Sequence, residues 1–181
     1  TGVQTCALPI FAPEIEGARE LCLYVNPGVK LAVGHSIATA EQVETAGDWG
    51  CDQITHMFNG MNPLHHREPG VPGAALADDR YSVQMICDLV HLHRLAIRVC
   101  YNAKGYEHCI LITDAMSATC MGDGRYKLGA LDVIVKNGEA RLPEGNLAGS
   151  TLTIERAVKN VIEAVHIPAE QALQMASRIP A

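Results

Sequence analysis

Short, nearly continuous apolar segments alternate with helical segments along most of this chain. Four such segments read as buried strands: VKLAV, CDQIT, YSVQMIC and HCILIT, at residues 29–33, 51–55, 81–87 and 108–113. Continuous apolar strands separated by helices are typical of a parallel sheet that is covered on both faces. The pattern therefore predicts an α/β fold, and it leaves open both a doubly wound sheet and a (β/α) barrel.

The helical segments have recognisable ends. Thr39 is placed to cap one helix and Gly50 to end it. Asn26-Pro27-Gly28 is predicted to end the first helix, and residues 126–142 are predicted to form a β-hairpin that turns at Asn137-Gly138. The helices are predicted over residues 12–28, 39–50, 93–105, 151–165 and 168–178.

Composition excludes several classes of protein. The chain has 181 residues, of which 48% are hydrophobic and 19% are charged, so wholesale disorder is excluded and one domain with a real core is expected. A net charge of −6 argues against a broad nucleic-acid surface. No apolar stretch is long enough for a membrane span, and no signal peptide opens the chain. The seven cysteines form no CxxC pair, so we expect buried thiols in a cytoplasmic protein.

Residues 1–11 lead into no periodic pattern. We leave them unassigned, as a disordered tail or foreign sequence, and place the domain at residues 12–181.

Polar residues follow each predicted strand. His56 and Asp114 come directly after two of them, His35 follows a third after Gly34, and the remaining strand runs into Asp88 and then His91. Groups at the carboxyl ends of parallel strands converge on one face, where the active sites of barrels lie. Two imidazoles and a carboxylate there can bind a divalent cation such as zinc, which lowers the pKa of a bound water, and an aspartate beside it can move the proton. The alternative is that these residues cap or brace ordinary loops.

The loop after His56, FNGMNPLHHREPG, is the second candidate feature. Asn59 offers both a donor and an acceptor, and Arg67 offers a bidentate fork for a phosphate or a carboxylate. An ordinary polar surface loop remains the alternative interpretation.

Six segments together resemble one family. They are VGHSIAT, THMFNGMNPLHHREPG, GAAL, ICDLVHLH, LITDAMSATCMGDGRYKLG and LAGSTLTIERAVKN, and they resemble the N-acetylglucosamine-6-phosphate deacetylases of the amidohydrolase superfamily from about Ala12 to Ala181. The resemblance implies a TIM-like (β/α) barrel, of which this chain would hold the last four βα units, with a β-hairpin insertion before the final helices. Family members are about twice as long, so the resemblance also implies a fragment that lacks the glutamate completing the metal site. We therefore expect this chain alone to be unstable or self-associating, and inactive.

The resemblance also assigns roles to individual residues. His35 and His56 match the two histidines that hold a divalent metal, zinc or iron. Asp114 matches the catalytic aspartate, which acts as general base and then as general acid, and His91 matches a substrate contact. The remaining expected substrate-binding residues are Asn59 and Gly60 at the sugar phosphate, Arg67 in a phosphate site that can serve a neighbouring subunit of a homodimer, and Leu147, Ala148 and Gly149 near the acetamide, in a segment that ends at Ser150.

Two positions depart from the family pattern. Gly60 stands where alanine is usual, a change expected to be mild because only the backbone is used. Leu89 stands where glycine is usual, which is expected to shift the end of the strand.

Two other functions stay open: another metal-dependent amidohydrolase, such as a cyclic-amide hydrolase, and a non-catalytic phosphosugar-binding remnant.

Overall fold

The computed structural model describes residues 9–25 and 28–181, which belong to two compact units. The first unit contains the described residues up to Gln84 together with Cys100–Cys109. The second unit contains Met85–Val99 and Ile110–Ala181.

A parallel sheet forms the centre of the first unit. Phe11 is paired with Val33, Val33 with Ile54, and Ile54 with Val83. Consecutive residues of a strand point to opposite faces, and both Ala32 and Val33 are fully buried, so the sheet is covered on both sides. The strands are β1 (Ile10–Phe11), β2 (Ala32–Val33), β3 (Gln53–Ile54) and β4 (Ser82–Ile86), whose last two residues belong to the second unit.

β1 lies in the segment that the sequence left unassigned, and residues 1–8 lie outside the described residues. A strand of two residues is too short to show a hydrophobic period. The parallel α/β sheet is confirmed, whereas barrel closure stays a prediction.

The first helices show how local chemistry sets helix ends. Helix α1 (Ala18–Tyr24) is shorter than predicted because Gly17 has a left-handed backbone with φ of +85°; its predicted stop at Asn26-Pro27 lies outside the described residues. In α2 (Ala40–Asp48), Thr39 is the N-cap, as predicted, and Gln42 bonds the backbone N–H of Thr39 in return, which was not predicted.

Helix α3 (Gly70–Ala77) was not predicted, because its sequence, GVPGAALA, contains the residues that usually mark a loop. Pro72 is tolerated there because N–H groups in the first turn have no partner within the helix. Helix α4 (Arg94–Lys104) agrees with the predicted span.

A small antiparallel sheet distinguishes the second unit. Asn137 and Gly138 both have positive φ, as a two-residue hairpin turn requires, so the predicted turn is confirmed. A second tight turn between Leu128 and Leu131 makes the sheet three-stranded rather than a single hairpin. The remaining elements are β5 (Cys109–Ile112), whose first residue belongs to the first unit, β6 (Gly124–Leu128), β7 (Leu131–Lys136), β8 (Glu139–Arg141), α5 (Ile154–Glu163) and α6 (Ala169–Met175).

The cysteines are mostly buried, as predicted. Five of the six described ones are buried and Cys120 is exposed, while Cys6 lies outside the described residues. Burial raises the pKa of Cys51 to about 12, so its thiol stays protonated at neutral pH. No helix of the described residues is long and apolar enough to cross a membrane.

Candidate active site

Two of the predicted site residues meet at the strand ends of the first unit. His35 follows β2 and His56 follows β3, and their Nε2 atoms lie 2.9 Å apart. The rings are almost perpendicular, at 88°. When two nitrogens bind the same tetrahedral zinc ion, each at about 2.0–2.1 Å, they lie roughly 3.4 Å apart. The observed separation is therefore close to the one that a shared cation needs.

The chemistry of this pair also fits a cation. Two imidazole nitrogens that are 2.9 Å apart repel each other if each points a lone pair at the other. One nitrogen must therefore carry a proton and donate a hydrogen bond to the other, or a cation must lie between them. A divalent metal can replace that proton, because neutral imidazole is an established zinc ligand. His56 is only 6% exposed, whereas His35 is exposed. The pair therefore has one ring held in the protein and one open to solvent.

The backbone at the predicted site residues is strained. His35, His56 and Asp114 have φ of +50°, +30° and +49°, which side chains other than glycine rarely adopt. Such conformations persist where the surroundings impose them, and they cluster at functional sites. Each of these strand-end residues shares this feature, so the surrounding structure imposes the local conformation at each of them.

Gly60 lies against both histidine rings. Its φ is +61°, and a Cβ built on it would lie 3.1 Å from His35 Nδ1 and 3.5 Å from His56 Cε1. Glycine in place of the family's usual alanine was expected to be a mild change, and that stays a prediction. A methyl group fits at this position only if the His35 ring moves by a few tenths of an ångström.

Asn59 braces the turn after His56. Its Nδ2 donates to the carbonyl oxygens of His56 and Met57 at 3.3 and 3.1 Å. These bonds help to hold the backbone that carries His56 in its unusual conformation.

The Arg67 side chain lies on the surface of its loop. Its guanidinium is 2.8 Å from His66 Nε2, and all three of His65, His66 and Arg67 are exposed. Glu68 anchors the loop by accepting from the backbone N–H groups of Ala40 and Gly70, both at 3.2 Å. The cationic group is thus free to meet an anion while the loop beneath it is fixed.

In the second unit, His91 is paired with Asp88. His91 Nδ1 lies 2.6 Å from Asp88 Oδ2, and Asp88 Oδ1 accepts from the backbone N–H groups of Val90 and His91. Burial by itself raises the pKa of Asp88, but these hydrogen bonds outweigh it and hold the pKa below its usual value. A charged Asp88 favours the tautomer of His91 that carries its proton on Nδ1.

Leu89 has a φ of +68° between these two residues, and its side chain is 39% exposed. Glycine adopts this conformation without strain. The structure therefore gives a physical reason for the glycine that the family resemblance implies here.

Asp114 lies beside the predicted Leu147–Gly149 segment. Its carbonyl accepts from Ser150 N at 2.8 Å, and a Cβ on Gly149 would lie 3.4 Å from the same oxygen. The Ser150 hydroxyl donates to Thr113 O, and Ser150 O accepts from Met116 N. Ser150, which is buried, thus bonds the backbone on both sides of Asp114. Ser150 is the last residue of the LAGS segment that the family resemblance places near the acetamide, and the structure adds these bonds to the backbone around Asp114.

No cluster of three or more histidine, cysteine, aspartate or glutamate side chains with metal-binding geometry occurs among residues 9–25 and 28–181. His35 and His56 thus form a pair of candidate ligands rather than a complete set.

Known proteins resemble the chain throughout most of its length, although no family model matches it. An N-acetylglucosamine-6-phosphate deacetylase of Vibrio furnissii is 46% identical over 171 residues, which are 94% of this chain and 43% of that protein. A relative from Escherichia coli strain K12, named for deacetylation of N-acetylgalactosamine 6-phosphate, is 44% identical over 126 residues, which are 70% of this chain and 75% of that protein.

A solved structure agrees with these sequences. A mutant N-acetyl-D-glucosamine-6-phosphate deacetylase of Mycobacterium smegmatis, in complex with N-acetyl-D-glucosamine-6-phosphate, matches 93% of this chain and 45% of its own, with 41% identity and a TM-score of 0.86. The chain spans about half the length of the first two curated relatives that it matches. Identity at this level and over this much of the chain shows common descent, so the chain belongs to the N-acetylglucosamine-6-phosphate deacetylase family.

Proposed function

We propose that this chain carries the metal-binding and proton-transfer residues of a deacetylase that acts on an N-acetylhexosamine 6-phosphate. The observation that carries the proposal is the approach of His35 Nε2 to within 2.9 Å of His56 Nε2, in a chain whose relatives are named for this reaction. We also propose that the parallel sheet and its helices are the last four βα units of a TIM-like barrel.

His35 and His56 would hold the divalent cation, zinc or iron. When bound, such a cation supplies Lewis-acid chemistry, which lowers the pKa of a coordinated water and polarises a carbonyl. Asp114 takes the proton of the attacking water and passes it to the departing amine as the amide C–N bond breaks. The products are acetate and the free amino sugar phosphate.

Asn59, Gly60 and Arg67 would bind the phosphate. The exposed guanidinium of Arg67 supports this role, because a planar fork matches phosphate oxygens. The exposure of Arg67 is also compatible with its binding the phosphate in the site of the partner subunit of a homodimer. His91 would contact the sugar through Nε2, and Leu147, Ala148 and Gly149 would line the acetamide pocket. We place the activity in the cytoplasm.

The proposed sugar substrate is N-acetylglucosamine 6-phosphate or its epimer, N-acetylgalactosamine 6-phosphate. Relatives of 46% and 44% identity are named for the glucosamine and the galactosamine compound respectively, so both belong to the proposed substrate class.

Calorimetric titration tests this proposal. We expect the chain to bind one zinc ion weakly, because the family resemblance implies a missing glutamate ligand, and His35→Ala and His56→Ala to weaken that binding by at least about 100-fold. We also expect either 6-phosphate to bind more tightly than unphosphorylated N-acetylglucosamine, and Arg67→Ala to remove this preference. Zinc binding that is unchanged in both histidine variants would contradict the proposal.

A further inference from the structure

Glu14 lies at the same edge of the sheet as His35. Phe11 of β1 and Val33 of β2 are paired in parallel, so the residues that follow these strands leave the sheet side by side. A turn after β1, in which Ile15 N donates to Ala12 O at 3.1 Å, contains Glu14.

Both carboxylate oxygens of Glu14 are bonded to the segment that follows His35. Oε2 accepts from the hydroxyl of Ser36 at 2.7 Å, and Oε1 accepts from the backbone N–H of Ile37 at 2.8 Å. The Ser36 hydroxyl, which is fully buried, accepts in turn from the backbone N–H of Ala38 at 3.0 Å. One carboxylate thus fixes, directly or through Ser36, three consecutive residues after His35.

The Glu14 hydrogen bonds fix the backbone immediately after His35. The His35 ring is exposed and its φ is +50°, so packing alone does not fix the direction of the side chain. Ser36 also forms a parallel bridge with Met61, in the loop that follows His56. The backbone carrying His35 is therefore tied on one side to Glu14 and on the other to that loop.

We propose that Glu14 is a positioning residue for His35: it holds the backbone after this ligand so that His35 Nε2 faces His56 Nε2 and the two share one cation. This inference rests on the proposed function. Glu14 acts through His35, because both of its own oxygens are already bonded within the protein. Groups that orient metal ligands typically contribute 10- to 100-fold to metal affinity.

Three variants separate positioning from charge. Glu14→Gln keeps the shape of the side chain but replaces one accepting oxygen with an amide that cannot accept, and it removes the charge. Ser36→Ala keeps the charge and removes one of the two hydrogen-bond donors. Glu16→Gln removes a nearby charge from an exposed side chain that has no hydrogen bond to the described residues, and it serves as the matched control.

The zinc dissociation constant of each variant is measured by calorimetry, the imidazole ¹⁵N spectrum is recorded without zinc, and the urea midpoint monitors folding. We expect about a tenfold weaker zinc affinity for Glu14→Gln and a smaller loss for Ser36→Ala, both with shifted His35 resonances, and a change below about twofold for Glu16→Gln.

Zinc binding at the wild-type level in both Glu14→Gln and Ser36→Ala would overturn the inference and leave the proposed function intact. Equal weakening by Glu14→Gln and Glu16→Gln, with Ser36→Ala unaffected, would overturn it in favour of a simple charge effect. If Glu14→Gln does not fold, the zinc dissociation constant of Ser36→Ala alone tests the inference. Wild-type zinc binding that does not depend on His35 and His56 would instead refute the proposed function.

Discussion

Histidines follow both β3 and β4, but their neighbours differ in kind. His56 faces another imidazole, with 2.9 Å between its Nε2 and that of His35. His91 faces a carboxylate, with 2.6 Å between its Nδ1 and Asp88 Oδ2. The first pair needs a proton or another cation between two nitrogens, whereas in the second pair the carboxylate itself bonds the imidazole. The neighbour thus decides what an imidazole at a strand end can do.

This difference assigns separate tasks. A pair of imidazoles whose Nε2 atoms face each other is suited to hold a divalent cation. An imidazole whose Nδ1 is bonded to a carboxylate has a fixed orientation, and its Nε2 is suited to contact a polar substrate group.

Zinc affinity should show the largest contrast between the two histidines. His56→Ala should weaken zinc binding by at least about 100-fold, because it removes a proposed ligand rather than a supporting group. His91→Ala should leave the dissociation constant within about twofold. Calorimetric titration of both variants checks this contrast, and equal losses would remove the distinction between the two pairs.

Acid titration should reveal the carboxylate partner of His91. Because hydrogen bonds hold the pKa of Asp88 below its usual value, its contribution to stability is present above about pH 4 and is lost as the pH falls through the lower, folded-state pKa. Asp88→Asn should lower the free energy of unfolding at pH 7 by about 1–3 kcal/mol, with the difference shrinking at acid pH. Urea unfolding from pH 2 to pH 7 measures it, and a difference that does not vary with pH would contradict this assignment.

Gly60→Ala should disturb only the histidine pair. The added methyl group meets His35 Nδ1 at 3.1 Å on a backbone with φ of +61°, so we expect a loss of about 1–2 kcal/mol in the free energy of unfolding. Zinc affinity should fall as well, because the His35 ring must move. Urea unfolding and calorimetry test this, and unchanged zinc affinity would show that the ring accommodates the methyl group.

Leu89→Gly should have the smallest effect, and one of opposite sign. It relieves a left-handed leucine between Asp88 and His91, and the gain is partly offset by the greater freedom of glycine in the unfolded chain. We expect a gain of about 0.5 kcal/mol. Leu89→Ala, which keeps the strain, is the control, and a gain of the same size in that variant would show that backbone strain is not the cause.

Much of the fold follows from local sequence signals. The apolar segments around Val33, Ile54 and Val83 predict the parallel sheet, and Thr39 and Asn137-Gly138 predict a helix start and a turn that the structure confirms. Helix α3 was missed because small residues, glycine and proline carry no helical period. The two residues of β1 were missed because they are too few for a strand pattern.

The site was predictable where side chains carry the chemistry. His35 and His56 stand out because a ligand-type residue directly follows each strand, and the structure brings them together. Glu14 could not be found in this way, because it acts through hydrogen bonds to residues distant in the sequence. The family resemblance places Ser150 near the acetamide, but its hydrogen bonds to the backbone around Asp114 emerge only from the structure. No spacing in the sequence encodes such contacts.

The central claim is that His35 and His56 share one divalent cation through Nε2. It is tested most directly by ¹⁵N spectra of histidine-labelled protein during titration with zinc. We predict that the Nε2 signals of His35 and His56 move together and saturate at one zinc per chain, while His91 stays unchanged. Saturation at the exposed His65 and His66, with the signals of His35 and His56 unmoved, would contradict the account.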